Sequence, residues 1–183
     1  MLTENDRRRQ QMTIKTEKLL IRPVKAEDWR DFQSIWEDYS RSPYARLDQP
    51  CNTEPEAVQA QIARWAAEED PARRCLAVCL GERVIGYIIC FLQEAGAYEL
   101  GYCFHSAFHR RGYARQSLTA VLEALRGEGV KRVLAGTGME NLPSVGLLRS
   151  LGFQLTRTEP VSFYRDAQGA PIYFEGGWFE KQL

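Results

Sequence analysis

The sequence predicts one mixed α/β domain, a mostly antiparallel twisted sheet flanked by helices, and three observations carry that expectation. Two apolar runs, Arg74 to Leu80 and Val84 to Gln93, are joined by a tight turn at Gly81-Glu82, the pattern of a hairpin. Further along, strand-like and helix-like periodicities alternate, which calls for crossovers and a mixed sheet covered by helices. The chain has 183 residues, enough for one substantial core, and contains no repeat, low-complexity segment or linker that would divide it.

In chain order, residues 1–12 are polar, carry Asp6-Arg7-Arg8-Arg9 and lack the apolar stretch of a secretory signal. They are expected to be a flexible leader, with Met12 an alternative start, ahead of a domain over 13–183. Leu19 to Val24 reads as a strand with Pro23 near its end. Glu27 and Asp28 suit the positive end of a helix dipole, and Trp29, Phe32, Ile35, Trp36 and Tyr39 then share one helical face. Ser40 to Asn52, with Pro43 and Pro50, is a loop. Thr53-Glu54-Pro55-Glu56 has capping-box spacing and opens a helix with Val58, Ile62, Trp65 and Ala66 on one side.

After the hairpin, a turn at Glu94-Ala95-Gly96 leads to the strand Tyr98 to Phe104. A helix follows from Tyr113 to Arg126, its stripe made by Ala114, Leu118, Val121, Leu122 and Leu125 and its stop by Gly127. Val130 to Ala135 is a strand, and Asn141 to Leu151 a short helix ended by Gly152. Phe153 to Phe163 and Ile172 to Phe179 are the last strands.

Composition narrows the function. Lys+Arg and Asp+Glu both number 24, and this zero net charge weighs against nucleic acid as a partner. The longest apolar stretch, Val84 to Leu92, is far short of the ~20 residues that span a bilayer, so no membrane partner is expected. Cys51, Cys75, Cys79, Cys90 and Cys103 are odd in number and lack the close pairs of a zinc site, so they read as reduced thiols of a cytoplasmic protein that holds no metal. A homodimer is allowed but not specified.

The segment from Glu99 through Phe104 to His109-Arg110-Arg111-Gly112-Tyr113-Ala114 is the most informative. A strand ends, a short loop follows and a helix begins, so several backbone N–H groups lack intrahelical partners and make an anion site with the helix dipole. Gly112 and Ala114 let a bulky phosphate approach the backbone. No Gly-Lys-Ser/Thr follows, which excludes a Walker loop, and the dinucleotide glycine pattern is absent.

This loop resembles the pyrophosphate loop of the GCN5-related N-acetyltransferase superfamily, Gln/Arg-x-x-Gly-x-Gly/Ala, with Gly112 and Ala114 matching and His109 in the first position. Lys18-Leu19-Leu20-Ile21-Arg22-Pro23 with Glu27-Asp28 is similar to the opening of the branch that acetylates ribosomal-protein N-termini. Asn141-Leu142-Pro143-Ser144 followed by Leu151-Gly152-Phe153 resembles that branch's later signature. The likeness covers about residues 13 to 183. It implies acetyl-CoA as cosubstrate, an amine acceptor (small molecule or protein N-terminus) and two central parallel strands, Tyr98–Phe104 and Val130–Ala135, splayed to admit the cofactor. By the same resemblance, backbone groups of Tyr102, Cys103 and Phe104 meet pantetheine, and amides from Arg110, Arg111, Gly112, Tyr113 and Ala114 hold the pyrophosphate. Asn141 and Ser144 approach from the other side.

The bland readings stand beside these. Glu99 is a general base for the attacking amine or a sheet-surface carboxylate paired with a Lys or Arg. Ser144 is a proton donor to the leaving thiolate, in place of the Tyr that many relatives carry where this chain has Leu148, or a helix N-cap. Cys103 is read as a buried thiol rather than a nucleophile. Amides near Tyr102 or Cys103 are candidate oxyanion donors. Trp178, beside Gly176-Gly177, borders the acceptor or packs on an edge strand. The expected activity is direct acetyl transfer in a ternary complex; the alternative is a non-catalytic acyl-CoA sensor.

Overall fold

The computed structural model describes residues 12–70 and 72–183. All of the expected leader except Met12 lies outside them, and Met12 is buried in the core. The strands are β1 (Ile14–Lys15), β2 (Leu20–Pro23), β3 (Arg73–Leu80), β4 (Arg83–Leu92), β5 (Tyr98–Phe104), β6 (Arg132–Gly138), β7 (Gln154–Arg165) and β8 (Pro171–Gln182). They form one sheet in the order β1-β2-β3-β4-β5-β6-β8-β7, antiparallel except at β5–β6. The helices are α1 (Trp29–Ser40), α2 (Pro55–Ala66), α3 (Tyr113–Gly127) and α4 (Leu142–Ser150).

The sheet carries a core on each face. On one, Leu118, Val121, Leu122 and Leu125 of α3 and Val145 and Leu148 of α4 pack on Ile88, Leu100, Val133 and Phe179. On the other, Phe32, Ile35 and Trp36 of α1 and Val58 and Ile62 of α2 pack on Cys75, Ala77, Cys79 and Ile89. Strand pleating sends alternate side chains to the two layers. In β5, Tyr98 and Leu100 join the α3/α4 layer, with Tyr102 and Phe104 packed against it, while Cys103 packs against the α1/α2 layer.

Several expected boundaries move for identifiable reasons. Thr53 does not cap α2. Pro55 takes the first helical position, Glu54 is the N-cap without a side-chain bond, and the Asn52 side chain accepts from the Glu54 amide. Ala66 is exposed rather than part of the apolar side. Gly127 is the last residue of α3, not its stop; the left-handed residue is Gly129 at φ 88°, and the Val130 amide is spent on the Leu125 carbonyl. That bond delays β6 to Arg132, two residues later than expected, and the strand continues to Gly138. The final strand β8 is internal and β7 takes the edge, so edge packing does not explain Trp178.

Candidate active site

β5 has two unlike edges. It pairs with β4 along all of its length, from Leu92↔Tyr98 to Gly86↔Phe104. Toward β6 it pairs only at Tyr98↔Val133 and Glu99↔Leu134. Beyond Glu99 the strands part, so backbone groups of Leu100–Phe104 on that side have no strand partner. Unpaired main-chain groups inside a protein are costly, and a wedge lined by them fits an extended ligand that carries its own amides.

Both ends of the wedge are set by packing. At the closed end the buried Arg74 side chain reaches the Tyr98 hydroxyl at 3.2 Å and forms two bonds to Glu128, at 3.0 and 2.6 Å. At the open end β6 is committed to β8 through Gly138↔Gly176. A Cβ added at Gly136 would lie 3.3 Å from the Trp178 ring, and one at Gly138 would lie 2.9 Å from Leu47. Glycine at these positions lets Trp178 and Leu47 close on β6 from the α1/α2 side.

The loop after β5 is held at its start and its middle. Asp38 of α1 accepts from the Ser106 amide and hydroxyl at 2.7 and 2.6 Å. The His109 ring donates from Nε2 to the Phe104 carbonyl at 2.8 Å, which gives the unexpected first-position residue a role in shaping the turn. Arg110 then adopts φ 58°, uncommon for a side-chain-bearing residue, and Gly112 adopts φ 79° as the N-cap of α3. Nothing lies within 4 Å of a Cβ added at Gly112, so the space before the helix is open. Arg110, Arg111 and Arg115 are exposed, and none forms an ion pair among the described residues. Free amides at a helix start, open space and unpaired guanidiniums are what a pyrophosphate needs. Tyr113 and Ala114 begin the helix, half-buried.

Across the wedge, Asn141 caps α4 and accepts from the Ser144 amide at 3.3 Å, so the cap is Asn141 and not Ser144. The Ser144 hydroxyl bonds the Tyr102 hydroxyl at 2.9 Å and joins α4 to the splayed part of β5. Burial pushes the Tyr102 phenol up to about 12, against a smaller opposing effect of the Ser144 bond. Tyr102 is therefore a proton-bearing side chain in the wedge, whereas the sequence offered only its backbone. Leu148 is buried in the core beneath and contributes no polar group. Burial also pushes the Cys103 thiol up to about 12, which leaves almost no thiolate at neutral pH and disfavours a nucleophilic role.

Glu99 sits at the closed end. Pleating turns it to the α1/α2 face, opposite Tyr102 and Ser144, so the structure does not gather the two catalytic candidates on one face. Its hydrogen-bond partner is the neutral Gln93, 3.0 Å away, rather than a Lys or Arg, and burial raises its pKa above the usual carboxylate range. Trp178 donates its indole N–H to Glu159 and lies under the Arg157 guanidinium at 5.1 Å.

The loop expected at Ser40 to Asn52, which spans 41–54 in the structure, also reaches this region. Tyr164 of β7 donates to the Ala45 carbonyl at 3.2 Å, and Tyr39 donates to the Tyr44 carbonyl at 3.2 Å. Contacts between residues 119 apart leave no local sequence pattern. Only the length of the loop and its two prolines marked it. A shallow cleft of about 420 Å³ begins at Gly112 and runs along α3 past Arg115 to Glu123. Among the described residues, no group of three His, Cys, Asp or Glu side chains is placed to hold a metal, and no helix is long and apolar enough to cross a membrane.

Comparison with known proteins gives this geometry a context. Residues 18–154 match the model of the acetyltransferase (GNAT) domain. The uncharacterized N-acetyltransferase YnaD of Bacillus subtilis (strain 168) is 28% identical over 146 residues, covering 78% of this chain and 83% of YnaD. The ribosomal L7/L12 α-N-protein acetyltransferase RimL, solved with coenzyme A, superposes with a TM-score of 0.78 at 15% identity, over 94% of this chain and 98% of RimL. YncA of Salmonella typhimurium, solved with acetyl-CoA, gives 0.68 at 20% identity, over 91% and 95% of the two chains.

Proposed function

The chain belongs to the acetyltransferase (GNAT) family, and from that premise we propose that it passes the acetyl group of acetyl-CoA to a primary amine by direct attack in a ternary complex. The observation that carries the site assignment is the wedge, open from Leu100 to Phe104 and ending at the unoccluded helix start of Gly112. Backbone groups of Tyr102, Cys103 and Phe104 hold the pantetheine amides, and the amides from Arg110 to Ala114 hold the pyrophosphate. Asn141 and Ser144 bound the cofactor from α4. When bound, acetyl-CoA supplies an activated thioester carbonyl.

The protein's own residues then have three tasks. Amides on the open edge of β5 stabilise negative charge at the carbonyl oxygen. Glu99, raised by burial and without a cationic partner among the described residues, takes the proton of the attacking ammonium directly or through water. The Tyr102–Ser144 hydroxyl pair, linked at 2.9 Å, returns a proton to the departing sulfur, in place of the family tyrosine that Leu148 replaces. One C–S bond breaks and one C–N bond forms; the ammonium loses two protons, the first to Glu99 before attack and the second from the tetrahedral intermediate, which replaces the proton that the hydroxyl pair gives to sulfur. Thiols that stay reduced support a cytoplasmic location.

A sensor that binds acyl-CoA without turnover draws no support from the family match. The test is titration of the protein with acetyl-CoA, followed by thiol release across small amines and peptide N-termini. Saturable binding with amine-dependent release is expected. Binding without release for every acceptor would overturn the transferase reading.

A further inference from the structure

The end of β5 is pinned on its β4 side. The Phe104 ring lies over Gly86, where a Cβ would overlap it, and the next amide, that of His105, donates to the Ile85 carbonyl of β4 at 3.0 Å. The chain then makes a single 3-10 turn over Ser106–Phe108, with Ser106 held by Asp38 of α1. This turn brings His109 back: its amide donates to the Ser106 carbonyl at 3.0 Å, and its ring reaches the Phe104 carbonyl at 2.8 Å.

The direction of that carbonyl decides what the bond does. His105 donates to β4, so its neighbour Phe104, opposite Gly86, turns its amide and carbonyl to the other edge. That edge is the wedge. A carbonyl only accepts, so Nε2 carries a proton in the neutral ring and in the imidazolium alike, and the contact survives either charge state. Immediately beyond His109 the backbone takes positive φ twice, 58° at Arg110 and 79° at Gly112. A residue with a side chain is disfavoured there, so the turn needs an anchor just before it. Among the described residues, the His109 ring makes the last side-chain hydrogen bond before α3.

We infer that His109 is a positioning residue for the pyrophosphate of the cofactor. Its ring ends the open edge of β5 by occupying the Phe104 carbonyl. It also fixes the point from which Arg110 and Gly112 turn the amides up to Ala114 toward the phosphates. Phe104 then offers pantetheine its amide alone. The inference rests on the acetyl-CoA reading and gives a task to the position where the family pattern has Gln or Arg. A Gln side chain carries an N–H at a similar reach, whereas alanine has no donor.

The test compares CoA with pantetheine, which has the same thiol and amides and no phosphate. The full chain and its His109→Ala and His109→Gln variants are titrated with each ligand by calorimetry, a readout independent of turnover. In the unsubstituted chain CoA should bind at least about 100-fold more tightly than pantetheine. His109→Ala should cut that ratio about tenfold or more, the lower end for losing a hydrogen bond to a charged group, with the loss falling on CoA. His109→Gln should restore most of it. A ratio that survives in His109→Ala, a loss shared equally by pantetheine, or a Gln variant no better than alanine overturns the inference and leaves the cofactor reading standing. An unsubstituted chain that binds both ligands equally would remove the phosphate cradle itself, and the inference with it.

Discussion

The two edges of β5 are built from the same seven residues and do opposite things. Toward β4 every residue has a registered partner, continuing the long β3–β4 pairing beneath the Phe32–Trp36–Val58–Ile62 layer. Toward β6 the pairing stops after Glu99. The difference follows from what each neighbour is attached to. β3 and β4 are a hairpin, so their register is local, and helices cover them. β6 arrives by crossover and is held at its far edge by β8, while glycines at 136 and 138 let Trp178 and Leu47 pack close to it. One edge stabilises the fold, and the other leaves main-chain groups for a ligand.

Substitutions can separate the two edges. The largest effect is expected at the open one: Gly112→Trp should reduce acetyl-CoA affinity beyond about 100-fold by filling the cradle and straining φ, while circular dichroism remains native. On the closed side, Phe32→Ala removes a fully buried ring and should cost about 3–5 kcal/mol in denaturant unfolding. Protein that remains folded should keep its acetyl-CoA affinity. If the two substitutions gave the same pattern, the division between edges would be wrong.

Glu99→Gln should lower kcat about 100-fold, the lower end for loss of a general base. The sign of its pH dependence is set by the raised pKa. The carboxylate forms only above the ordinary Glu range, so kcat/KM should rise as pH climbs through that elevated value, and the Gln variant should lose this limb. The smallest effect is Tyr102→Phe, which deletes the bond to Ser144 and should cost about 1 kcal/mol of stability. Thiol departure should slow modestly in single-turnover assays.

The closed edge was the more legible of the two. The β3–β4 turn at Gly81, the stripes of α1 and α3 and the strand Tyr98–Phe104 are local patterns, and each appears where expected within about two residues. Gly112 was also legible, because a glycine between a strand and an apolar stripe marks a turn. Where two glycines competed, at 127 and 129, spacing chose the wrong one; only the backbone bond from Val130 to Leu125 distinguishes them. β1 has two residues, too few for any period, and was missed. The resemblance supplied that β5 and β6 splay; how far they part, and the Tyr102–Ser144 bond, depend on contacts between distant segments and leave no local sequence pattern.

On the proposed function, the cofactor completes the backbone groups left open on β5 and before α3. Amide hydrogen exchange with and without acetyl-CoA tests it most directly. Protection should appear in Leu100–Phe104 and Arg110–Ala114 on binding, with the β3–β4 hairpin unchanged. Saturable binding that leaves those two segments unprotected, or protects the outer side of α3 instead, would contradict it.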